Sequence, residues 1–181
     1  ARDLAAAGIG KLKDINYKKV KESFKSPITW KKEFQNNNLC PGVAGRYFKN
    51  VKNVESPKWL QDRLNAIGLR PISALVDITN YITFDLGRPL HVYDADKVSG
   101  NLTMRLANKN EECLALNEVN YKCDSDMIVI SDDEKKLHGI GGVMGGFDSG
   151  CSIETKNVFL EVALFDPISV TKTGRKLNLQ S

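Results

Sequence analysis

Apolar and polar positions follow different rhythms in successive parts of this chain. The opening ARDLAAAGIG sets helix-favouring Leu4 and four alanines around a stop at Gly8, which predicts the end of a helix over residues 1–10. Residues 11–38 have no period; lysines, Pro27 and the run Asn36-Asn37-Asn38 predict a linker with at most short local structure. A compact domain is expected over 39–181. Within it, Val43 to Val54 suits a strand or strand pair. A helix follows, with Ser56 as N-cap, Pro57 at the first helical position, Trp59, Leu60, Leu64 and Ile67 at helical spacing, and Gly68 as terminator. A second helix is expected from Ser73 to about Asp85, striped by Ala74, Ile78 and Ile82 and stopped by Gly87 and Pro89.

Beyond that point the rhythm turns to strands. Leu102 to Leu106, Met127 to Ser131 and Asn157 to Leu164 have strand composition, with charged or glycine-rich turns between them. Helices to cross between parallel strands are lacking here. The expected class is therefore α+β, a mixed or antiparallel sheet with packed helices, barrel-like or layered.

Length and composition agree with one substantial core. A chain of 181 residues buries roughly 70% of its unfolded surface, and 41% hydrophobic with 27% charged residues is ordinary globular composition. No apolar run approaches the ~20 residues that cross a bilayer, and the start lacks the layout of a signal peptide, so a cytoplasmic protein without membrane contact is expected. With no initiator Met and a helix entered in mid-turn, the chain reads as part of a longer polypeptide. Cys40, Cys113, Cys123 and Cys151 lack metal-ligand or redox spacing and are expected to be reduced, mostly buried thiols; no metal site is expected. The net charge of +4 is concentrated in residues 11–32, where eight lysines face only Asp14 and Glu22. A solvated linker face explains this more simply than an RNA contact.

Three features could carry chemistry. Six of the fourteen glycines fall between Gly139 and Gly150, which permits close backbone approach to a ligand but equally a plain glycine turn. Glu161 interrupts the apolar run 158–164; a carboxylate there faces water at a sheet edge, the reading periodicity favours, or enters a polar pocket. His91 lies in the proline-stiffened Gly87-Arg88-Pro89-Leu90-His91 loop and either meets a substrate or caps the core. Thr79 and Asn80 could reach the same region, although mid-helix residues of these types usually face solvent. His138 reads as a strand-end surface residue. No nucleophile constellation emerges, so the catalytic residues are unassigned and any catalysis works by positioning water and substrate.

Taken in order, Val76-Asp77-Ile78-Thr79-Asn80-Tyr81, Leu86-Gly87-Arg88-Pro89-Leu90-His91-Val92-Tyr93-Asp94, Gly141-Gly142-Val143-Met144-Gly145-Gly146 and Val158-Phe159-Leu160-Glu161 resemble the β subunit of bacterial phenylalanyl-tRNA synthetase. The resemblance runs from about Leu39 to the end and implies the central editing domain, which hydrolyses tyrosine mistakenly esterified to tRNA(Phe). On that resemblance Glu161 accepts the phenolic hydrogen bond, Thr79, Asn80, Pro89 and His91 line the pocket, and Gly142 and Gly145 make room for the ring. Editing implies no cofactor. The parent enzyme, a cytoplasmic phenylalanine-tRNA ligase of protein biosynthesis, implies ATP, magnesium, tRNA(Phe), L-tyrosine as editing ligand and an α subunit in an α2β2 tetramer. Two departures are Phe147-Asp148, where an acidic or histidine pair is expected, and the terminal Ser181, where a threonine commonly stands. A non-catalytic structural or RNA-contacting domain is the competing reading.

Overall fold

The computed structural model describes residues 1–14, 16–35 and 37–179; Asn36 of the polar run and the terminal Ser181 lie outside them. Two larger sheets and one hairpin carry the fold. Strands β1 (Trp30–Glu33), β4 (Leu102–Leu106), β7 (Ile128–Ser131), β8 (Leu137–Ile140) and β9 (Met144–Gly145) form a five-stranded sheet in the order β1-β4-β7-β8-β9. Among the described residues only the β1–β4 pairing is parallel. Strands β2 (Gly42–Phe48), β10 (Val158–Leu164) and β3 (His91–Asp94) form a three-stranded antiparallel sheet with β10 in the middle. The hairpin joins β5 (Glu111–Leu114) to β6 (Asn120–Cys123). The class is the α+β one expected from the sequence, and no sheet closes into a barrel among the described residues.

Both faces of the five-stranded sheet are covered, which explains why every residue of β7 is buried. One face presents Trp30, Leu102, Met104 and Ile130 to Tyr93, Phe159, Val43 and Tyr47 of the smaller sheet. The other face packs Val129 and Ile140 against Cys113 and Cys123 of the hairpin and Leu177 of a C-terminal helix. The cysteines are free thiols; Cys40, Cys113 and Cys123 are buried and Cys151 is half-buried.

Helix α1 spans Arg2–Ala6, and Gly8 follows it at φ +75°. In α2 (Lys58–Ala66) Pro57 is the N-cap, not Ser56. The Ser56 hydroxyl instead donates to Asp77 Oδ2 at 2.5 Å, where it also lies out of water. Only Leu60 and Leu64 of the expected apolar set are buried; Trp59 and Ile67 stay more than half exposed. Helix α3 (Ala74–Leu86) ends at Gly87 in the left-handed region, as the sequence indicates. Its expected stripe is overturned, because Ile78 faces solvent while Asp77 and Thr79 turn inward. The reason lies in Asp77, whose carboxylate accepts from both Ser56 and the Ile72 N–H and so staples the start of α3 to the start of α2. Asp77→Ala orphans both donors and is expected to cost about 2 kcal/mol, read from the urea midpoint; Asp77→Asn, which keeps one acceptor, should cost less.

Helix α4 (Pro167–Leu177) starts on Asp166, whose carboxylate caps the Ser169 N–H at 2.7 Å, with Pro167 in the first turn. Strand β1 lies inside the stretch expected to be a linker.

Candidate functional site

Strand β10 sets the geometry. Its residues alternate between two faces, and Phe159, Glu161 and Ala163 share the face turned toward the larger sheet. In register, Glu161 stands opposite Gly45 on β2 and His91 on β3, and Phe159 stands opposite Tyr47 and Tyr93. Glu161 is therefore on the central strand and 5% exposed, so the sheet-edge reading is overturned.

A buried carboxylate requires a partner. The partner is Tyr93, whose hydroxyl donates to Glu161 Oε2. No hydrogen bond reaches Oε1 among the described residues. Burial pushes Glu161 up to about 7, against the opposing pull of the Tyr93 hydrogen bond. Burial first, then the neighbouring Glu161, hold the Tyr93 phenol well above its ordinary range. Around this pair the lining is aromatic. The His91 ring meets Tyr93 edge-on at 4.4 Å, and Trp30 packs on Tyr93 at 6.4 Å and on Phe159 at 5.8 Å. Gly45 leaves the space these rings use; a Cβ there would come 2.7 Å from Trp30 Nε1 and collide with the Phe159 ring.

His91 also touches the glycine cluster. A Cβ on Gly145 would collide with Cε1 of His91 and lie 3.0 Å from its Nε2. Burial, and to a lesser extent His138, lower His91 to about 4, so the ring is neutral at physiological pH. The structure thus brings together Glu161, His91 and Gly145.

The other expected pocket residues are placed differently. Gly142, at φ +72°, packs against Val170 of α4 and the Phe165 ring, not against His91. Pro89 is exposed two residues before His91. Thr79 is 7% exposed, but its hydroxyl donates to Val76 O of its own helix, and Asn80 is half-buried beside it. The Thr79 carbonyl accepts from Thr83, whose oxygen in turn accepts the Leu90 N–H, so this face of α3 ties down the loop that carries His91. Among the described residues no hydrogen bond joins Thr79 or Asn80 to Glu161. Phe147 is exposed, and Asp148 pairs with Lys136 at 3.2 Å.

His138 overturns its reading as a surface residue. It is fully buried, and its Nε2 lies 3.0 Å from Asp132 Oδ2. Reasoning from sequence alone also passed over Tyr93, Trp30 and Gly45. Tyr93 has a usable signal, since His91-x-Tyr93 alternates as Phe159-x-Glu161 does.

Two open clefts of about 450 and 360 Å³ lie elsewhere, the first between the β5–β6 hairpin and Lys135–Leu137, the second between Asn53–Glu55 and Cys151–Ile153. Neither is lined by Glu161 or His91. Among the described residues no group of His, Cys, Asp and Glu side chains has the makings of a metal site, and no helix is long and apolar enough to cross a membrane.

An α+β domain with a buried glutamate on a central strand, facing an aromatic interior between two sheets, is the class these features define. The B3/4 domain model matches residues 39–181, and the chain belongs to that family. It is 52% identical over 181 residues to the phenylalanine-tRNA ligase beta subunit of Rhodopseudomonas palustris, covering all of this chain and 22% of that protein. The same subunit of Paramagnetospirillum magneticum is 52% identical over 183 residues, covering 100% of this chain and 23% of that protein. The chain therefore spans less than a quarter of the length of these relatives. Among solved structures, an N-terminal fragment of the phenylalanyl-tRNA synthetase beta subunit from Pyrococcus horikoshii superposes with a TM-score of 0.58 at 16% identity, over 90% of this chain and 49% of that one. At that identity the likeness is one of fold.

Proposed function

We propose that this chain is the editing domain of a phenylalanine-tRNA ligase β subunit and hydrolyses tyrosine mistakenly esterified to tRNA(Phe). The observation that carries the reading is Glu161, a carboxylate held out of water among aromatic rings and already paired with a phenol. Selection of tyrosine against phenylalanine needs one buried acceptor for the extra hydroxyl, because phenylalanine then leaves that acceptor unpaired. Tyr93 takes Oε2 and fixes the carboxylate; Oε1 accepts the incoming phenol. Thr79, Asn80, Pro89 and Gly142 complete the outer parts of the pocket, and Gly145 and His91 stand at its inner wall. The aminoacyl ester is already activated, so a water held beside it suffices for attack. The parent enzyme joins phenylalanine to tRNA(Phe) with ATP and magnesium, as a cytoplasmic α2β2 tetramer with its α subunit.

Clearance of tyrosyl-tRNA(Phe) by the full ligase is the test. Glu161→Ala is expected to slow it by roughly a hundredfold or more, while phenylalanyl-tRNA(Phe) stays uncleaved by either enzyme. One observation favours the competing architectural reading, namely that the Tyr93 hydroxyl already occupies one oxygen of Glu161. Unchanged clearance in the mutant would make that pair a structural tie and remove the editing site from this sheet.

A further inference from the structure

Part of the lysine-rich stretch expected to be a solvated linker is held against the sheet that carries Glu161. Residues 16–25 run without helix or strand, and their four lysines, Lys18, Lys19, Lys21 and Lys25, are exposed, with Glu22 as the single acid among them. Two neighbouring residues of β2 hold the stretch. The Arg46 guanidinium donates through Nη2 to the Val20 carbonyl at 2.8 Å, and Tyr47 meets Phe24 edge-on with ring centroids 6.1 Å apart. The Lys49 ammonium lies over the Phe24 ring, 4.4 Å from its centroid.

Successive side chains of a strand point to opposite faces, so a stretch touched by both Arg46 and Tyr47 crosses the free edge of β2, the outer strand of its sheet. Gly45, next to Arg46, stands opposite Glu161. Neighbouring strands lie about 4.8 Å apart, which puts the stretch roughly two such spacings from the backbone of Glu161. Among the described residues none of the four lysines has a salt bridge or a hydrogen-bond partner. The acids felt at Tyr47, Asp96 and Asp94, are engaged elsewhere, Asp96 with Asn157 and Asp94 with Thr155 and Lys97. Like charges on one backbone repel, so the stretch is suited to an anion that neutralises several of them at once. A chain of phosphates does this, because each phosphate contact releases a counterion and adds to binding.

We propose that Lys18, Lys19, Lys21, Lys25 and Lys49 form a docking surface for the sugar-phosphate backbone of the RNA acceptor end, with Arg46 as the clamp that holds the stretch in place. The inference rests on the editing reading. An ester held at Glu161 is joined to a terminal ribose, and the phosphates behind that ribose leave the site across its β2 border, where the lysines receive them. Such contacts add affinity and orientation without reading sequence. Glu161 reads the amino acid, and the lysines hold the strand that delivers it.

The test is binding of the 181-residue chain to a fluorescent RNA minihelix that copies the acceptor stem and single-stranded 3′ end of tRNA(Phe), measured from about 50 to 200 mM KCl. Changing Lys18, Lys19, Lys21 and Lys25 together to Gln is expected to weaken binding at least roughly tenfold at the low-salt end and to flatten the plot of log Kd against log salt by about two to four. The same four changed to Arg should bind as wild type does. A control that loses the same charge elsewhere, at Lys58, Lys109, Lys122 and Lys172, should keep most of the slope. A scrambled minihelix should bind as well as the natural one. The proposal is overturned if the two glutamine sets behave alike, if wild type does not bind, or if it holds polyglutamate as tightly as the minihelix, which would make the surface one for acidic protein.

In the full ligase the four-glutamine variant should raise KM for tyrosyl-tRNA(Phe) hydrolysis roughly tenfold with kcat little changed, whereas Glu161→Ala should slow hydrolysis and leave minihelix binding as it was. Lysine-dependent RNA binding without any tyrosyl-ester hydrolysis in wild type would support the docking surface and remove the editing reading alone. Hydrolysis with the same KM in the four-glutamine variant would do the reverse.

Discussion

Between pH 4.5 and 6.5, the ordinary values of the two groups concerned, wild-type stability is expected to stay nearly level, while Glu161→Gln gains and His91→Phe loses roughly 2–3 kcal/mol. The sign follows from proton counting. Glu161 titrates at about 7 folded against 4.5 ordinarily, so over this interval the folded state holds a proton that the unfolded state releases. Stability from that group is present below 4.5 and is lost as pH rises through 7. His91 titrates at about 4 folded against 6.5 ordinarily, so here the unfolded state holds the extra proton. Stability from that group grows as pH rises from 4 to 6.5. The two slopes are equal and opposite. Removing either group uncovers the other, and the double variant should be level again. Urea titrations of the four chains across this range are the measurement, and contributions common to all of them drop out of the differences. A level profile in His91→Phe would mean that the carboxyl ionises normally in the fold, and with it the buried-acceptor argument for tyrosine selection would fail.

The Tyr93 hydrogen bond explains why a glutamate can stand in the middle of β10. In the sequence Glu161 is conspicuous as the one charge in an apolar strand, but its surroundings are a matter of register. Nothing local says that Tyr93 lies across from Phe159 and His91 across from Glu161, because the strands are separated by more than sixty residues. Elements with local punctuation were legible: the helix opened near Pro57 and closed before Gly68, the helix closed by Gly87, and the strands around 102–106, 128–131 and 158–164. Helix α4 carried the same kind of signal in Asp166-Pro167 and was passed over.

Strand β1 could not be read in the same way. Three of its four residues are exposed, and it pairs in parallel with a strand some seventy residues away, so neither alternation nor a turn marks it. The inward turn of Asp77 in α3 and the burial of His138 share one cause. Each is a polar residue whose partner, Ser56 or Asp132, removes the cost of burial, and hydrophobic periodicity is blind to such pairs. The glycine cluster was conspicuous, but composition alone could not separate a turn from a close approach.

Gly146→Ala is expected to destabilise the protein by about 3 kcal/mol or more, whereas Gly145→Ala should cost less stability and yet impair the site more selectively. A Cβ at Gly146 would lie 2.7 Å from the carbonyl carbon of His138 and 2.9 Å from its Cα and oxygen. Those are backbone atoms of β8, joined to Gly146 itself by the N–H to carbonyl bond, and they cannot withdraw without breaking the β8–β9 pairing. At Gly145 the obstacles are side chains, the His91 ring and the Leu116 methyl at 2.9 Å. Side chains can rotate away, so the fold survives, but the ring that moves is the one that stands opposite Glu161. Thermal unfolding of the two variants should separate by several degrees. The ¹⁵N signals of His91 should shift in Gly145→Ala while the protein remains folded. Equal melting temperatures for the two would mean that β8 and β9 give way easily, and the glycines would then be a turn and no more. The separation expected here instead assigns adjacent glycines two jobs: Gly146 lets two backbones meet, and Gly145 lets a strand edge approach the histidine of the candidate site.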